Sequence, residues 1–237
     1  LIFIAFLGGT LPPLIWLWFW RKEDRIHPEP KRLIFLCFLS GMLAVPLVIP
    51  FEKWVFNTFS ENSSLMFFLL AVIEETFKYW AAYMAVLTRK EVDEPLDDIL
   101  YLITVALGFA ALENTFFLIS PILQGQYVTG FLSNNLRFIG ATLLHVVSSA
   151  TIGIFIAFAF YKSRNKKRLY TMIGLFFAIV LHTLFNLLII QTTNYRNILA
   201  FYSVWLAVVV ILLFFERVKK INNPLLPINP PETNGKR

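Results

Sequence analysis

The chain has 237 residues, of which 57% are apolar and 15% charged, whereas about 25% of residues are charged in ordinary soluble domains. Long uncharged runs exclude a soluble globular protein, because a soluble core helix does not need about 18 or more consecutive apolar residues. The net charge of +6 does not indicate a nucleic-acid partner, since the basic residues lie beside the apolar runs. The single cysteine, Cys37, excludes a disulfide within the chain.

Seven apolar segments follow one another, each long enough to cross the roughly 30 Å hydrocarbon core of a bilayer as a helix. The sequence predicts spans at residues 1–20, 33–51, 64–88, 97–120, 135–161, 170–193 and 198–215. Pro12 and Pro13 predict a bend in the first span, which we interpret as retained and not as a signal peptide. The predicted fold is therefore an all-α, polytopic transmembrane helix bundle that forms one domain over residues 1–221.

Two segments outside the spans have a distinctive composition. Residues 121–134 are uncharged and contain two glycines, which predicts a loop at the membrane interface or dipping into the membrane. The tail, residues 222–237, is rich in proline and asparagine and is predicted to be disordered.

Lysine and arginine are concentrated in one set of alternate loops. These loops and the tail hold 17 of the 21 basic residues, including Arg89, Lys90 and the run at residues 162–168. Because cytoplasmic loops carry an excess of lysine and arginine, this bias predicts an external N-terminus and a cytoplasmic C-terminus.

Polar side chains recur inside the third to sixth predicted spans. A charge at the bilayer centre costs at least about 2.5–3.5 kcal/mol, so such residues persist where they pair, face a cavity or take part in chemistry. They are Glu74, Glu75 and Lys78 in span 3, Glu113 and Asn114 in span 4, Arg137 and His145 in span 5, and His182 and Asn186 in span 6.

Four of these residues have similar predicted depths, although the spans alternate in direction. Glu75, Glu113, His145 and His182 lie roughly 10–17 Å below the external face, at 1.5 Å per helical residue. They therefore indicate one polar layer in the outer half of the membrane. Helical spacing also puts Lys78 on one face with an acid of its own span.

A carboxylate and an imidazole in a low-dielectric pocket are groups that can activate water. A glutamate can take a proton from water and return it to a leaving amine, while a second histidine and an asparagine stabilise the oxyanion. The same groups could instead bind zinc, with Glu75, Glu113, His145 and His182 as the candidate ligands. The sequence lacks the H-E-x-x-H helix of the zincins. The residues predict a hydrolase and leave both mechanisms open.

The motifs and their order resemble those of the PrsW-type intramembrane proteases. Residues 74–78 (EETFK) resemble the family's E-E-x-x-K motif, and residues 108–114 (GFAALEN) resemble its G-F-A-x-x-E-N segment. His145 and residues 182–186 (HTLFN) resemble the remaining two motifs. The resemblance covers roughly residues 1–215 and extends to a larger group with the CAAX prenyl endopeptidases, bacteriocin-processing enzymes and a scaffold subunit of gamma-secretase.

This resemblance implies regulated proteolysis in a bacterial plasma membrane. The implied reaction is the first cut, site-1, on the extracytoplasmic side of a single-pass membrane protein such as an anti-sigma factor. By analogy with the prenyl endopeptidases, Glu74 or Glu75 would activate water together with His145. The oxyanion would be held by His182 and Asn186, and the supporting residues are Lys78, Glu113, Asn114 and Arg137.

Other functions stay open on the sequence alone. They are a CAAX-type or bacteriocin-processing membrane protease, a non-catalytic membrane scaffold and a proton-coupled transporter. Lys78 after the acidic pair favours the PrsW branch, because the CAAX branch has an arginine as the basic partner. A transporter is expected to show internal repeats, and none is clear in the sequence. Glu74 and Glu75 could also be purely structural partners of Lys78 and Arg137.

Overall fold

The structure, a computed structural model, describes the backbone of residues 1–23, 27–61, 63–125, 127–190 and 194–221. It describes the side chains of residues 1–22, 27–61, 63–125, 140–188, 199 and 202–221. The predicted tail, residues 222–237, and the side chain of Arg137 lie outside these ranges.

Within these ranges the chain forms helices and no strand, which confirms the predicted all-α class. The helices are α1 (Ile2–Glu23), α2 (Lys31–Thr58), α3 (Ser64–Ala82), α4 (Pro95–Leu123), α5 (Tyr127–Phe158), α6 (Arg164–Ile190) and α7 (Asn194–Val218). A π-helical turn, Tyr83–Leu87, continues α3.

Five stretches of the described residues are long and apolar enough to cross a membrane. They are Ile2–Lys22, Lys31–Thr58, Pro95–Leu123, Gly140–Phe158 and Arg164–Leu188. The third helix, α3, is not among them; it carries Glu74, Glu75 and Lys78 and packs against α2, α4 and α6. Seven spans and the orientation of the termini therefore stay predictions.

The centre of the bundle is α4, which packs against α1, α2 and α5. Every residue from Pro95 to Ala111 is buried, as expected for a helix that is apolar on all sides. The crossing of α2 and α4 is close because Gly41 lies against the backbone of Val105 and Gly108 lies against the backbone of Phe38. Small residues allow helices to approach in this way where lipid offers no hydrophobic driving force.

The acidic residues at the start of α4 hold that helix in place. The Asp97 carboxylate accepts hydrogen bonds from the backbone N–H groups of Asp93 and Glu94, both at 2.9 Å, which caps the helix N-terminus. The next residue, Asp98, lies 3.5 Å from Nζ of Lys167 on α6. These contacts fix the start of α4 relative to α6.

The predicted loop at residues 121–134 is mostly helical in the structure, so this prediction was wrong. The fourth helix continues through Pro121 to Leu123, and α5 begins at Tyr127. Gly125 has a φ of +72°, a left-handed conformation that glycine adopts without steric cost. One glycine turn therefore joins two long helices where the uncharged composition had indicated an extended loop.

Candidate active site

The acidic pair of α3 is buried together with its lysine. Glu74, Glu75 and Lys78 are 7%, 0% and 0% exposed. The Lys78 ammonium donates a hydrogen bond to Oε1 of Glu75 at 2.6 Å and lies 3.8 Å from Oε2 of Glu74. The structure thus brings both predicted acids and their predicted partner together on one side of α3.

His182 on α6 contacts the same acidic pair. Its Nδ1 lies 2.7 Å from Oε1 of Glu75, and its Nε2 lies 3.8 Å from Oε2 of Glu74. Because an ionised carboxylate only accepts hydrogen bonds, Nδ1 is the ring nitrogen that donates to Glu75. The other ring nitrogen, Nε2, is the one that lies beside Glu74.

His145 on α5 joins the cluster from the opposite side. Its Nε2 lies 2.7 Å from Oε2 of Glu113 on α4. Its Nδ1 lies 2.9 Å from Nζ of Lys78 and 3.8 Å from Oε2 of Glu74. The His145 and His182 rings are nearly perpendicular, with centroids 5.4 Å apart. Four helices, α3 to α6, therefore meet in one network, as the predicted polar layer requires.

Glu74 and the two histidines form a group that could hold a metal ion. One ligand atom from each residue lies within 4.8 Å of the others. The buried Oε2 of Glu74 has no hydrogen-bond partner among the described residues. Zinc is commonly bound by histidine nitrogens and carboxylate oxygens, and two ligands of a tetrahedral zinc lie about 3.4 Å apart. The donor set and the unpartnered oxygen therefore fit a zinc-class ion.

This group shares both histidines with the predicted metal ligands but contains neither of the two predicted acids. The predicted ligands were Glu75 and Glu113 beside the two histidines, whereas the group in the structure contains Glu74. Glu75 and Glu113 instead contact a ring nitrogen each, on His182 and on His145. Glu74 and Glu75 are adjacent and point about 100° apart on their helix, so the neighbouring helices decide which carboxylate faces the histidines.

The remaining predicted residues have other surroundings. Asn114 donates a hydrogen bond to Oγ1 of Thr142 at 3.1 Å, which joins α4 to α5. Asn186 lies one turn after His182 and is half-buried, with no hydrogen bond to another described residue. The side chain of Arg137 lies outside the described part of the chain.

One acidic residue near the site, Glu52, was not predicted from the sequence. This residue was predicted to lie in a polar link outside the spans, whereas α2 continues past it to Thr58. In the structure the Glu52 carboxylate interacts electrostatically with Glu113, Lys78 and Glu74. Glu52 could have been recognised by its helical spacing from two apolar residues of the same segment, Val48 and Val55, which are buried on α2.

The fold and the site define a class of protein: a multi-pass membrane protein whose buried glutamates and histidines meet in one cluster. The sequence model of the PrsW family of intramembrane metalloproteases matches residues 29–214, so the chain belongs to this family. The matched range contains all the site residues described above. The predicted resemblance is therefore confirmed.

Curated relatives agree with this assignment. The chain is 28% identical to Protease PrsW of Clostridioides difficile (strain 630), over 82% of each protein. It is 27% identical to Protease PrsW of Geobacillus kaustophilus (strain HTA426), over 80% of this chain and 81% of the relative. It is 26% identical to Protease PrsW of Oceanobacillus iheyensis, over 91% and 94%. No solved structure gives a significant match. The chain is a multi-pass protein of the cell membrane.

Proposed function

We propose that this chain is a metal-dependent endopeptidase that cuts a single-pass membrane protein, such as an anti-sigma factor, at a site-1 position on the extracytoplasmic side. The observation that carries the proposal is the buried group of Glu74, His145 and His182, whose ligand atoms lie within 4.8 Å of one another. Family membership supports the peptidase activity.

Glu74, His145 and His182 would hold the metal ion, and zinc is the class of ion that their donor atoms favour. When bound, such an ion polarises the scissile carbonyl and makes water a stronger acid. The charge of the cluster supports a divalent cation, because the side chains that contact one another in the described network include three glutamates, Glu74, Glu75 and Glu113, and one lysine. A cation would balance the excess negative charge in a low-dielectric site.

Glu75 and Glu113 would orient the two histidines. Each lies 2.7 Å from a histidine nitrogen, which is the usual arrangement of a carboxylate behind a metal-binding imidazole. Lys78 lies 2.9 Å from Nδ1 of His145. For Nδ1 of His145 to bind an ion, the Lys78 ammonium would have to move away from this nitrogen. The 2.6 Å contact between the ammonium and Glu75 could then hold the ammonium.

The extracytoplasmic cut is supported by the predicted topology and by the family resemblance. If the basic loops are cytoplasmic, the cluster lies in the outer half of the bilayer. Asn186 is half-buried beside His182, where an amide could donate a hydrogen bond to the oxyanion of the tetrahedral intermediate.

The proposal is tested by co-expressing the chain with a tagged single-pass anti-sigma factor from the source bacterium. We expect Glu74→Gln and His182→Ala to abolish cleavage, whereas Glu61→Gln, at an exposed position, should cleave like the wild type. Purified wild-type protein should contain zinc and lose activity with a chelator. Wild-type cleavage by both site variants would contradict the peptidase function, and full activity in a metal-free preparation would contradict the metal-dependent mechanism.

A further inference from the structure

We propose that Glu52 is a further catalytic residue of this site: the carboxylate that carries a proton from the attacking water to the leaving amine. The inference rests on the peptidase function proposed above. The evidence for it is the position of Glu52 on α2, the charged residues around it and the roles that the other carboxylates already have in the proposed site.

Glu52 lies on the face of α2 that packs into the bundle. Val45, Val48 and Val55 on this helix are 3%, 1% and 0% exposed. Glu52 follows Val48 by four residues and precedes Val55 by three, which puts it on the same helix face. It is therefore an acid within an otherwise apolar packing seam.

Contacts on either side of Glu52 place it at the height of the acidic pair on α3. The Phe51 ring packs against Phe77, with centroids 5.4 Å apart. Val55 belongs to a cluster with Leu70, and Ile73 packs against that cluster. Since α2 and α3 are antiparallel neighbours, Glu52 lies level with the part of α3 between these contacts, which contains Glu74.

The charges around Glu52 belong to the active site. The carboxylate interacts electrostatically with Glu113 and Lys78, and Glu74 in turn interacts with Glu52. Glu52 is half-buried and makes no hydrogen bond or ion pair to another residue that the structure describes. Its carboxylate thus lies among the charges of the site and has no described partner that would hold it.

The other three carboxylates already have a role in the proposed site: Glu75 and Glu113 would orient the histidines, and Glu74, whose Oε2 makes no hydrogen bond to a described residue, would hold the metal ion. Glu75 contacts both Lys78 and His182, and Glu113 contacts His145. Glu74 lies between the two histidines at 3.8 Å from each. Peptide hydrolysis still requires a group that accepts a proton in one step and returns it in the next, and Glu52 is the carboxylate available for this role.

The proposed step balances in atoms and charge. The ionised Glu52 carboxylate takes one proton from water as the water oxygen forms a bond to the scissile carbonyl carbon. The tetrahedral intermediate then collapses, the carbon–nitrogen bond breaks, and Glu52 returns the proton to the leaving nitrogen. The products are a new carboxyl terminus and a new amino terminus, and Glu52 is ionised again.

The test uses Glu52→Gln in the full chain, because glutamine keeps the shape of the side chain but cannot carry the proton. We expect the cleavage rate to fall about 10²- to 10⁴-fold, while the thermal unfolding midpoint in detergent and the zinc content per chain stay at wild-type values. Glu52→Asp should recover part of the rate. Lys53→Gln, at the adjacent exposed position, is the matched control and should cleave normally.

Two results would overturn the inference. One is Glu52→Gln cleaving within about twofold of the wild type; the other is loss of zinc or of the folded state together with activity, which would make Glu52 structural. The His182→Ala variant distinguishes a failure of the inference about Glu52 from a failure of the proposed peptidase function. If His182→Ala is inactive and Glu52→Gln is active, only the role of Glu52 is wrong. If His182→Ala also cleaves normally, the peptidase function itself fails.

Discussion

Lys78 is a fully buried cation that contacts residues of two helices. It lies 2.6 Å from Glu75, 3.8 Å from Glu74 and 2.9 Å from Nδ1 of His145. Removing one member of a buried ion pair leaves the other charge without a partner, which is costlier than removing both. Lys78 therefore contributes to folding as well as to the arrangement of the site.

We predict that Lys78→Met destabilises the protein by roughly 3–5 kcal/mol, because Glu75 keeps a buried charge without its nearest cation. Unfolding in mixed detergent and SDS measures this loss. The double variant Lys78→Met/Glu75→Gln should recover part of the stability, since it removes both charges. Lys53→Met, on the exposed surface, is the control. An unchanged unfolding midpoint for Lys78→Met would show that the pair has no structural role.

At the scale of helices, the close crossing of α2 and α4 depends on two glycines, Gly41 and Gly108, which have no side chain at the contact. A Cβ atom at Gly108 would overlap the carbonyl oxygen of Phe38, and one at Gly41 would overlap that of Val105. Both neighbours are backbone atoms of helices and cannot rotate away. The crossing holds α4, which carries Glu113, against α2, which carries Glu52.

We predict that Gly108→Ala destabilises the protein by about 1–3 kcal/mol through overpacking and lowers the cleavage rate by displacing Glu113. Gly140→Ala is the matched control, because its Cβ would meet only the Phe185 ring, at 3.2 Å and 3.9 Å, and a side chain can move. Unfolding midpoints and cleavage rates of the two variants provide the measurement. Equal stability of both would contradict the close crossing.

At the scale of the whole molecule, the distribution of charge predicts how the bundle lies in the membrane. The basic segments alternate with segments that carry few lysines or arginines; the basic residues there are Lys53, near the end of α2, and Arg196, near the start of α7. The positive-inside rule then gives an external N-terminus and a cytoplasmic C-terminus.

We predict that green fluorescent protein fused to the C-terminus is fluorescent and that alkaline phosphatase fused there is inactive, because both report a cytoplasmic location. Alkaline phosphatase fused after Glu61, between α2 and α3, should be active. The reverse pattern would place the acidic cluster in the cytoplasmic half of the bilayer and contradict the extracytoplasmic cut.

The sequence by itself determined the class of the protein and singled out most of the polar residues that the structure brings together. Apolar runs longer than a soluble helix needs require a membrane bundle, and the energetic cost of buried charge singles out the polar residues within them. Helical spacing also predicted that Lys78 pairs with the acids of its own helix, because residues three or four apart share a face. These conclusions depend on local properties of the chain.

Only the tertiary structure decided how the site residues face one another. The rotation of α3 against α5 and α6 puts Glu74 between the two histidines and leaves Glu75 behind His182. The extension of α2 past Pro50 brings Glu52 to the site, and the Gly125 turn replaces the predicted loop. Spacing along one helix fixes the relative directions of its side chains, but the packing of several helices sets the rotation and height of each.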